Sequence, residues 1–303
     1  MSASGSVQDS KPSVTILVFG KTGQVACELQ VLAPVMAPLI ALGRDEADLA
    51  VPGACTAAIE DYAPTAVINA AAYTAVDRAE DEEELATQIN GAAPTEMAFA
   101  CAERDIPFVH LSTDYVFDGS GDAPWRPGDL VAPISAYGRS KLTGEQGVVE
   151  AGGRYATLRT SWVFSAHGHN FVKAMLRLGA EREELLVVAD QIGGPTSAVA
   201  IARACLTIAE QLTKDPAKAG TYHFAGAPDT SWADFARAIF AQARLACEVQ
   251  DIGTSDYPTP ARRPANSRLD CSATEAVFGI KRPNWQDGLA AVLQDLKQKD
   301  TVQ

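Results

Sequence analysis

Tyr137 and Lys141 lie four residues apart in the segment Ala136-Tyr-Gly-Arg-Ser-Lys141. That spacing is about one helical turn, so a helix would carry both side chains on one face. A lysine ammonium beside a phenol favours the phenolate, so we expect Lys141 to lower the pKa of Tyr137 toward neutrality. Such a phenol is a good general acid or base at an alcohol oxygen. The pair alone is weak evidence, because the same spacing occurs on many ordinary helices.

A glycine-rich turn near the start of the chain follows an apolar, β-branched segment, Val14–Phe19. That segment is typical of a buried parallel strand, and a helix is predicted directly after the turn. Glycines between a strand and a helix let the backbone approach a pyrophosphate, and the helix N-terminus supplies N–H donors. The turn therefore predicts a dinucleotide site, whose residues are Gly20, Lys21, Thr22, Gly23, Gln24 and Val25.

The end of the second predicted strand, Leu39–Leu42, bears on the choice between NADPH and NADH. A carboxylate there would favour NADH, but this chain has Gly43 followed by Arg44. Arg44 could pair with a 2′-phosphate, which favours NADPH. NADH stays the alternative, because Asp45 could reach the ribose and Arg44 could equally be a solvated loop residue. Further cofactor contacts are predicted at Asp48, Leu49, Ala70, Ala71 and Ala72.

Thr113 stands just beyond a fourth predicted strand, Pro107–Leu111. Ligands of open α/β sheets bind beyond the carboxyl ends of the strands, so Thr113 would lie near a reacting oxygen. The trio Thr113, Tyr137 and Lys141 is then chemically coherent. Thr113 would hydrogen-bond a substrate carbonyl and Tyr137 would protonate it, while Lys141 would tune the phenol and hold the nicotinamide ribose. A Ser/Thr/Asp cluster that only makes turn bonds is the alternative for Thr113 taken alone.

Strands and helices alternate along the first half of the chain. This alternation predicts an α/β fold, a Rossmann-like doubly wound parallel sheet with a smaller, partly interwoven C-terminal substrate-binding lobe. One long helix, 85–104, should be kinked or broken at Pro94. The expected organisation is a disordered extension over 1–13, a dinucleotide-binding domain over 14–164, a strand near 221–225 that returns to the large sheet, and a mainly substrate-binding lobe over 165–303.

Charge and composition exclude two classes of partner. The formal net charge of −13 argues against general nucleic-acid binding, which needs a basic face. Apolar runs stay shorter than the roughly 18 residues of a membrane helix, so we expect no membrane association. The first 13 residues lack the apolar core of a signal peptide. Six scattered cysteines without a C-x-x-C pair are typical of reduced, structural thiols, so we expect a cytoplasmic protein.

The chain resembles the extended short-chain dehydrogenases/reductases and, within them, the dTDP-4-dehydrorhamnose reductase family, from about Val14 to Leu296. Several of the stretches that carry the resemblance are diagnostic of the reductases rather than of the wider superfamily. These stretches are Phe19-Gly-Lys-Thr-Gly-Gln-Val25, Asn69-Ala-Ala-Ala-Tyr-Thr-Ala-Val-Asp77, Ser112-Thr-Asp-Tyr-Val-Phe117, Tyr137-Gly-Arg-Ser-Lys-Leu-Thr-Gly-Glu145, Arg159-Thr-Ser-Trp-Val-Phe164, Asp190-Gln-Ile-Gly-Gly-Pro-Thr196 and Arg263-Pro-Ala-Asn-Ser-Arg-Leu269.

The resemblance implies reduction of a dTDP-4-keto-sugar, dTDP-4-dehydro-β-L-rhamnose, by NADPH or NADH, with Tyr137 as the proton donor. It also implies that the C-terminal lobe holds the nucleotide end of the substrate. Two adjacent arginines in a proline-rich loop suit a diphosphate. The substrate-binding residues implied in this way are Thr74, Val76, Asp114, Tyr115, Trp162, Arg262, Arg263 and Asn266.

The chain departs from the family pattern at a metal position. Some members bridge two subunits through a Mg²⁺ held by glutamates; Glu28 matches one ligand, but Val199 stands where the second is expected. Valine offers no oxygen donor, so we expect no metal and no metal-bridged dimer, and a monomer or a homodimer of another kind. Two other functions stay open: another nucleotide-sugar reductase or an epimerase, and a non-catalytic NADP-binding regulatory subunit, since a fold alone does not fix function.

Overall fold

A computed structural model describes residues 16–36 and 38–301. The predicted disordered extension, 1–13, lies outside the described residues. The strands are β1 (Ile16–Phe19), β2 (Leu39–Leu42), β3 (Ala66–Asn69), β4 (Phe108–Thr113), β5 (Tyr155–Thr160), β6 (Val163–Phe164), β7 (Glu184–Val188), β8 (Ile192–Gly193), β9 (Thr196–Ser197), β10 (Gly220–His223), β11 (Thr230–Ser231), β12 (Glu248–Ile252) and β13 (Asn266–Ser267). The helices are α1 (Gln24–Met36), α2 (Ala54–Tyr62), α3 (Glu83–Thr87), α4 (Ala93–Glu103), α5 (Ala136–Ala151), α6 (Phe171–Glu181), α7 (Ala198–Lys214), α8 (Trp232–Ala243), α9 (Ser272–Phe278) and α10 (Trp285–Thr301).

The main sheet has six parallel strands in the order β10-β5-β4-β3-β1-β2. Successive residues of a strand face opposite sides of the sheet, and both sides are covered by helices. In β1, Val18 packs in a cluster with residues of α1 and α7, whereas Leu17 packs in a second cluster with residues of α2 and α4. This two-sided burial explains the continuous apolar sequence of the strands. The predicted Rossmann-like α/β fold is confirmed.

The helix predicted over 85–104 is not broken at Pro94 but contains a π turn just before it. Helix α3 ends at Thr87, residues 88–92 form one π-helical turn, and α4 begins at Ala93. The backbone is helical on both sides of the π turn, and Ala93 N donates to Gln88 O, so the ladder is shifted by one residue directly before Pro94, which has no N–H to donate. The π turn also presents Asn90, whose side chain bonds both Tyr73 and Ser140 and so ties the segment after β3 to α5.

The C-terminal elements build one wall of the site. Helices α6, α8 and α10 enclose a separate apolar cluster, outside the two that flank the main sheet, and it includes Phe164, Phe235 and Trp285. Strand β8 pairs with β11 and β13, which brings Asn266–Ser267 back toward the large sheet. β10 lies beside β5 at the sheet edge, where the sequence predicts a returning strand. The division into domains at residue 164 stays a prediction. Among the described helices, none is long and apolar enough to cross a membrane.

Candidate active site

Thr113 and Tyr137 meet at the carboxyl end of the main sheet. Thr113 is the last residue of β4 and is buried, and its hydroxyl accepts a hydrogen bond from Tyr115 N at 3.2 Å. Tyr137 lies in the first turn of α5, where Ser135 caps the helix by accepting from Gly138 N at 3.2 Å. Tyr115 connects the two residues, since its N–H bonds the Thr113 hydroxyl and its ring lies 5.4 Å from that of Tyr137, and the nearby Thr113 hydroxyl acts to lower the pKa of Tyr137. A strand end and a capped helix start thus place the two hydroxyls together.

The environment of Tyr137 raises its pKa, contrary to the sequence expectation. Burial is the largest cause, and the charge of Asp114 adds to it, since both disfavour a phenolate. The ring packs edge-on against Tyr115, with ring centroids 5.4 Å apart. A phenol that keeps its proton near neutral pH is suited to donate it. The prediction that Lys141 lowers this pKa toward neutrality is wrong for the structure described here.

Lys141 is directed at backbone and imidazole rather than at the phenol. Its Nζ donates to the Leu111 carbonyl oxygen at 2.7 Å and lies 3.3 Å from His110 Nε2. Burial lowers the pKa of Lys141 to about 8, while Glu145 opposes the shift. Burial and the Lys141 charge hold the pKa of His110 well below its ordinary value, so this imidazole is neutral. The ammonium therefore loses its proton more readily than an ordinary lysine.

Asp114 has a buried carboxylate oxygen that lacks a well-aligned hydrogen bond, although the Ser267 hydroxyl lies beside the carboxyl. Oδ1 accepts from the Thr113 hydroxyl at 3.1 Å, but the buried Oδ2 has no hydrogen-bond partner among the described residues. Burial raises the pKa of Asp114 to about 6, which the hydroxyls of Ser267 and Thr113 partly oppose. A buried polar atom without a partner is costly unless a ligand pairs with it. Asp114 thus has free acceptor capacity for a sugar hydroxyl.

The turn after β1 forms a cradle for a pyrophosphate. Gly20 has a φ of +106°, and a Cβ there would lie 2.9 Å from Ala71 Cα, so only glycine fits. The first helical bond of α1 runs from Cys27 N to Gly23 O, so the N–H groups of residues 24–26 at the start of the helix have no intrahelical acceptor, whereas those of Gly20 and Lys21 donate to Leu42 O. Exposed donors at a helix N-terminus suit a pyrophosphate, so these residues fit the dinucleotide.

The other residues predicted to contact the cofactor differ in how open they are to a ligand. Ala70 to Ala72 follow β3 and pack beside Gly20, as an adjoining wall would require. Asp48 caps its own loop by accepting from Ala50 N at 2.9 Å. Leu49 is buried in the apolar cluster under β2, so only its edge could touch an adenine.

The carboxylate at the end of β2 is Glu46, which the sequence reasoning missed. Its Oε2 accepts from Gly43 N at 2.9 Å and from Lys21 Nζ at 3.0 Å. Arg44 is 81% exposed, and its Nε lies 3.9 Å from Asp48 Oδ1. Because Glu46 lies three residues beyond Gly43, a search of the strand end alone did not reach it. The ion pair between Lys21 and Glu46 thereby connects the glycine turn with the end of β2.

The residues expected to contact the sugar lie on several loops around Tyr137. Thr74 is exposed and Val76 is half-buried in the loop after β3. Trp162 has a φ of +49°, and its indole is stacked on Trp232 with ring centroids 3.6 Å apart. A Cβ on Gly193 would lie 2.8 Å from Trp162 Cε2, so the ring is held between that glycine and Trp232. Neighbouring groups thus fix a backbone conformation that is unfavourable for tryptophan.

The three C-terminal residues predicted to hold the nucleotide differ in environment. Arg262 is exposed. Arg263 is paired with Asp77, with Nη2 2.8 Å from Oδ2. Asn266 is buried, and its side chain is used by the protein itself, since Nδ2 donates to Ala123 O at 2.8 Å and Oδ1 accepts from Arg268 Nη1 at 3.0 Å. Asn266 therefore builds the wall of the site, and its predicted contact with substrate stays a prediction.

The metal position shows no ligand cluster. Glu28 Oε1 lies 3.7 Å from His167 Nε2, and burial raises the pKa of this carboxyl. Val199 is half-buried at the start of α7. Within residues 16–36 and 38–301, no group of three or more histidines, cysteines or carboxylates could hold a metal ion.

Comparison with known proteins places these features in a family. The family model described as "RmlD substrate binding domain" matches residues 14–298. A dTDP-4-dehydrorhamnose reductase of Sinorhizobium fredii is 45% identical over 90% of this chain and 94% of its own length. Two solved dTDP-4-dehydrorhamnose reductases superpose on the fold: that of Clostridium acetobutylicum has a TM-score of 0.88 at 35% identity, and that of Bacillus anthracis, in complex with NADP, 0.86 at 33%. Both alignments cover 94% of this chain and 100% of the solved one. The chain belongs to the RmlD substrate-binding-domain family, that of the dTDP-4-dehydrorhamnose reductases.

Proposed function

We propose that this protein reduces the 4-keto group of dTDP-4-dehydro-β-L-rhamnose to give dTDP-β-L-rhamnose. The observation that carries the proposal is the position of Thr113 at the carboxyl end of β4 and of Tyr137 in the first turn of α5, both against Tyr115, with a phenol that keeps its proton because its pKa is raised. Two hydroxyls at the carboxyl end of a parallel sheet can bind one carbonyl oxygen, and the phenol can protonate it. Bound NADPH supplies the hydride.

Each residue of the trio has a distinct task in this reaction. When substrate binds, the Thr113 hydroxyl turns its hydrogen from Asp114 Oδ1 to the keto oxygen, which orients and polarises the carbonyl. Tyr137 donates its proton to that oxygen as charge develops there, and stabilisation of this charge lowers the barrier. Lys141, with a pKa lowered to about 8, is suited to hold the nicotinamide ribose. Asp114 Oδ2 accepts a hydroxyl of the sugar.

The preferred cofactor is NADPH, with NADH as the alternative. Arg44 and Lys21 supply positive charge where a 2′-phosphate would lie, and Glu46 reduces this charge through its ion pair with Lys21. This balance supports use of both cofactors. The protein acts in the cytoplasm as a monomer or a homodimer, and we expect no metal bridge, because Val199 offers no ligand to pair with Glu28.

The reaction is tested by following NADPH oxidation with dTDP-4-dehydro-β-L-rhamnose, against a control without sugar. Sugar-dependent oxidation with dTDP-rhamnose as the product supports the proposal. Oxidation with a UDP-linked keto-sugar but not with the dTDP-sugar would contradict the substrate, and NADPH binding without any turnover would favour a regulatory protein.

A further inference from the structure

An ion pair joins two loops that are far apart in the sequence. Arg263 Nη1 donates to Asp77 Oδ1 at 3.0 Å, and Nη2 donates to Oδ2 at 2.8 Å. Ala261 N also donates to Asp77 Oδ1, at 3.2 Å. One carboxylate thus fastens both the side chain and the backbone of residues 261–267, which we call the strap. The loop that ends in Asp77 follows β3 and includes Thr74, which is expected to touch the sugar.

The strap is anchored at its other end as well. Asn266 N donates to Gly119 O at 3.0 Å, and β13 pairs with β8. A Cβ on Gly119 would come 2.6 Å from Pro264 Cβ, so the strap packs closely on the segment after β4. Ser267 lies beside the carboxyl of Asp114. The strap therefore connects the loop after β3 with the catalytic end of β4.

The Asp77–Arg263 pair lies near Tyr115, a neighbour of the catalytic Tyr137. Its two charges act in opposite directions on the pKa of Tyr115, which Arg263 lowers and Asp77 raises. Tyr115 in turn packs against Tyr137. The pair is partly exposed, with 27% of the Arg263 side chain and 42% of the Asp77 side chain accessible. A two-point contact of this kind fixes the plane and direction of the guanidinium, which a single-point contact would not do.

The guanidinium of Arg263 has N–H groups that are not used by Asp77 or Ala261. Asp77 takes one hydrogen from each terminal nitrogen, and Ala261 O takes the second hydrogen of Nη1 at 3.2 Å. The Nε hydrogen and the outer Nη2 hydrogen have no acceptor among the described residues. These two lie side by side and form the second fork of a guanidinium, which matches a phosphate.

We propose that Asp77 is a positioning residue for a nucleotide diphosphate, which it acts on by holding Arg263 so that the Nε–Nη2 fork is presented to the phosphates. The inference rests on the proposed function, because it takes the nucleotide sugar as the ligand. It goes beyond that function because it assigns a role to Asp77 and distinguishes the roles of Arg262 and Arg263. Arg263 is oriented by the fold, whereas Arg262 is an exposed charge that needs no partner.

The test is a double-mutant cycle on dTDP binding, measured by calorimetry with the full-length protein. The variants are Asp77→Asn, Arg263→Ala and the double variant, with NADPH affinity and melting temperature measured on each. Each single substitution should weaken dTDP binding roughly tenfold, because a charge-assisted contact is lost or misaligned. The double variant should bind dTDP no more weakly than Arg263→Ala, since Asp77 acts only through Arg263. NADPH affinity should not change.

A conservative variant and a matched pair complete the experiment. Arg263→Lys keeps a positive charge beside Asp77 but loses the Nε–Nη2 fork. This variant should therefore bind dTDP as weakly as Arg263→Ala does, and its melting temperature should equal that of the unchanged protein. Asp251→Ala, which breaks another exposed pair, with Arg237, should leave dTDP binding unchanged.

The outcomes separate the inference from the proposed function. Additive losses in the double variant, or equal losses of dTDP and NADPH binding, would overturn the positioning role. If the unchanged protein binds NADPH but not dTDP, the proposed substrate fails, and the diphosphate role of Arg263 fails with it. If dTDP binds the unchanged protein and Asp77→Asn equally well, only the role of Asp77 is contradicted.

Discussion

Gly138 packs against the carbonyl oxygen of Tyr115, so closely that no side chain fits between them. Tyr137 precedes this glycine, and Tyr115 follows Thr113 by two residues. The close approach of the two backbones is therefore what brings the phenol of Tyr137 to the hydroxyl of Thr113.

Gly138→Ala should separate the catalytic hydroxyls. The new methyl group would meet the Tyr115 carbonyl and Pro133 Cβ, so the start of α5 must move. We expect a loss of stability of about 1–3 kcal/mol, as for other overpacked sites, and a larger relative loss of kcat than of NADPH affinity. Gly128→Ala is the control, because a Cβ there meets nothing within 4 Å. Full activity of Gly138→Ala would show that this contact does not position Tyr137.

Glu46→Gln should strengthen binding of NADPH relative to NADH. The substitution removes a negative charge beside the expected 2′-phosphate and frees Lys21, whose Nζ now lies 3.0 Å from Glu46. Because the pair is exposed, we expect a change of only a fewfold in the ratio of the two dissociation constants, and a smaller one at high salt. Arg44→Ala should shift the ratio the other way. Glu60→Gln, which alters an ion pair on α2, serves as the control.

If Glu46→Gln and Arg44→Ala change NADPH and NADH affinity equally, neither residue selects the cofactor. Fluorescence titration of each reduced cofactor gives both constants directly. Arg44 would then be only a solvated loop charge, which is the alternative that the sequence leaves open.

Asp114 should control the acidic limb of the pH profile. Its pKa is about 6, so the carboxyl gains a proton as the pH falls through that value and loses an acceptor for the sugar. We expect kcat/KM of the unchanged protein to fall below about pH 6, because this parameter reports groups of the free enzyme. Asp114→Asn should have a lower kcat/KM without that limb. An unaltered limb in Asp114→Asn would assign it to another group.

The same shift has a consequence for stability. An acid whose pKa is higher in the folded than in the unfolded protein destabilises the fold once the pH exceeds the unfolded value. Ionised Asp114 therefore costs stability at pH values above about 4 to 6, and nothing when it is protonated in both states. Asp114→Asn should raise the melting temperature near pH 7 and leave it unchanged near pH 4.

The sequence predicted the parts of this molecule that local patterns determine. Apolar runs identified Leu39–Leu42 as a strand with the bounds that the structure has, and Pro107–Leu111 as a strand where β4 spans Phe108–Thr113. The Gly20 turn and the Thr113, Tyr137 and Lys141 trio were located from motif order, because each follows a strand or opens a helix. These patterns work because strand ends and helix starts are fixed by nearby residues.

Long-range contacts account for what the sequence did not predict. The hydrogen bond from Lys141 Nζ to Leu111 O depends on how α5 packs on β4. The raised pKa of Tyr137 depends on burial of its phenol by segments that are distant in the sequence. Asp77 and Arg263 are 186 residues apart, so no local pattern relates them. The role of Glu46 could have been found by extending the search for a carboxylate a few residues beyond Gly43.

The central claim is that Tyr137 donates the proton, and single-turnover reduction by Tyr137→Phe tests it most directly. The account predicts a rate roughly a hundredfold to ten-thousandfold lower, with unchanged NADPH affinity, because only the proton donor is removed. Tyr155→Phe, at the opposite end of the main sheet, is the matched control and should react normally. Turnover by Tyr137→Phe at the rate of the unchanged protein would contradict the claim.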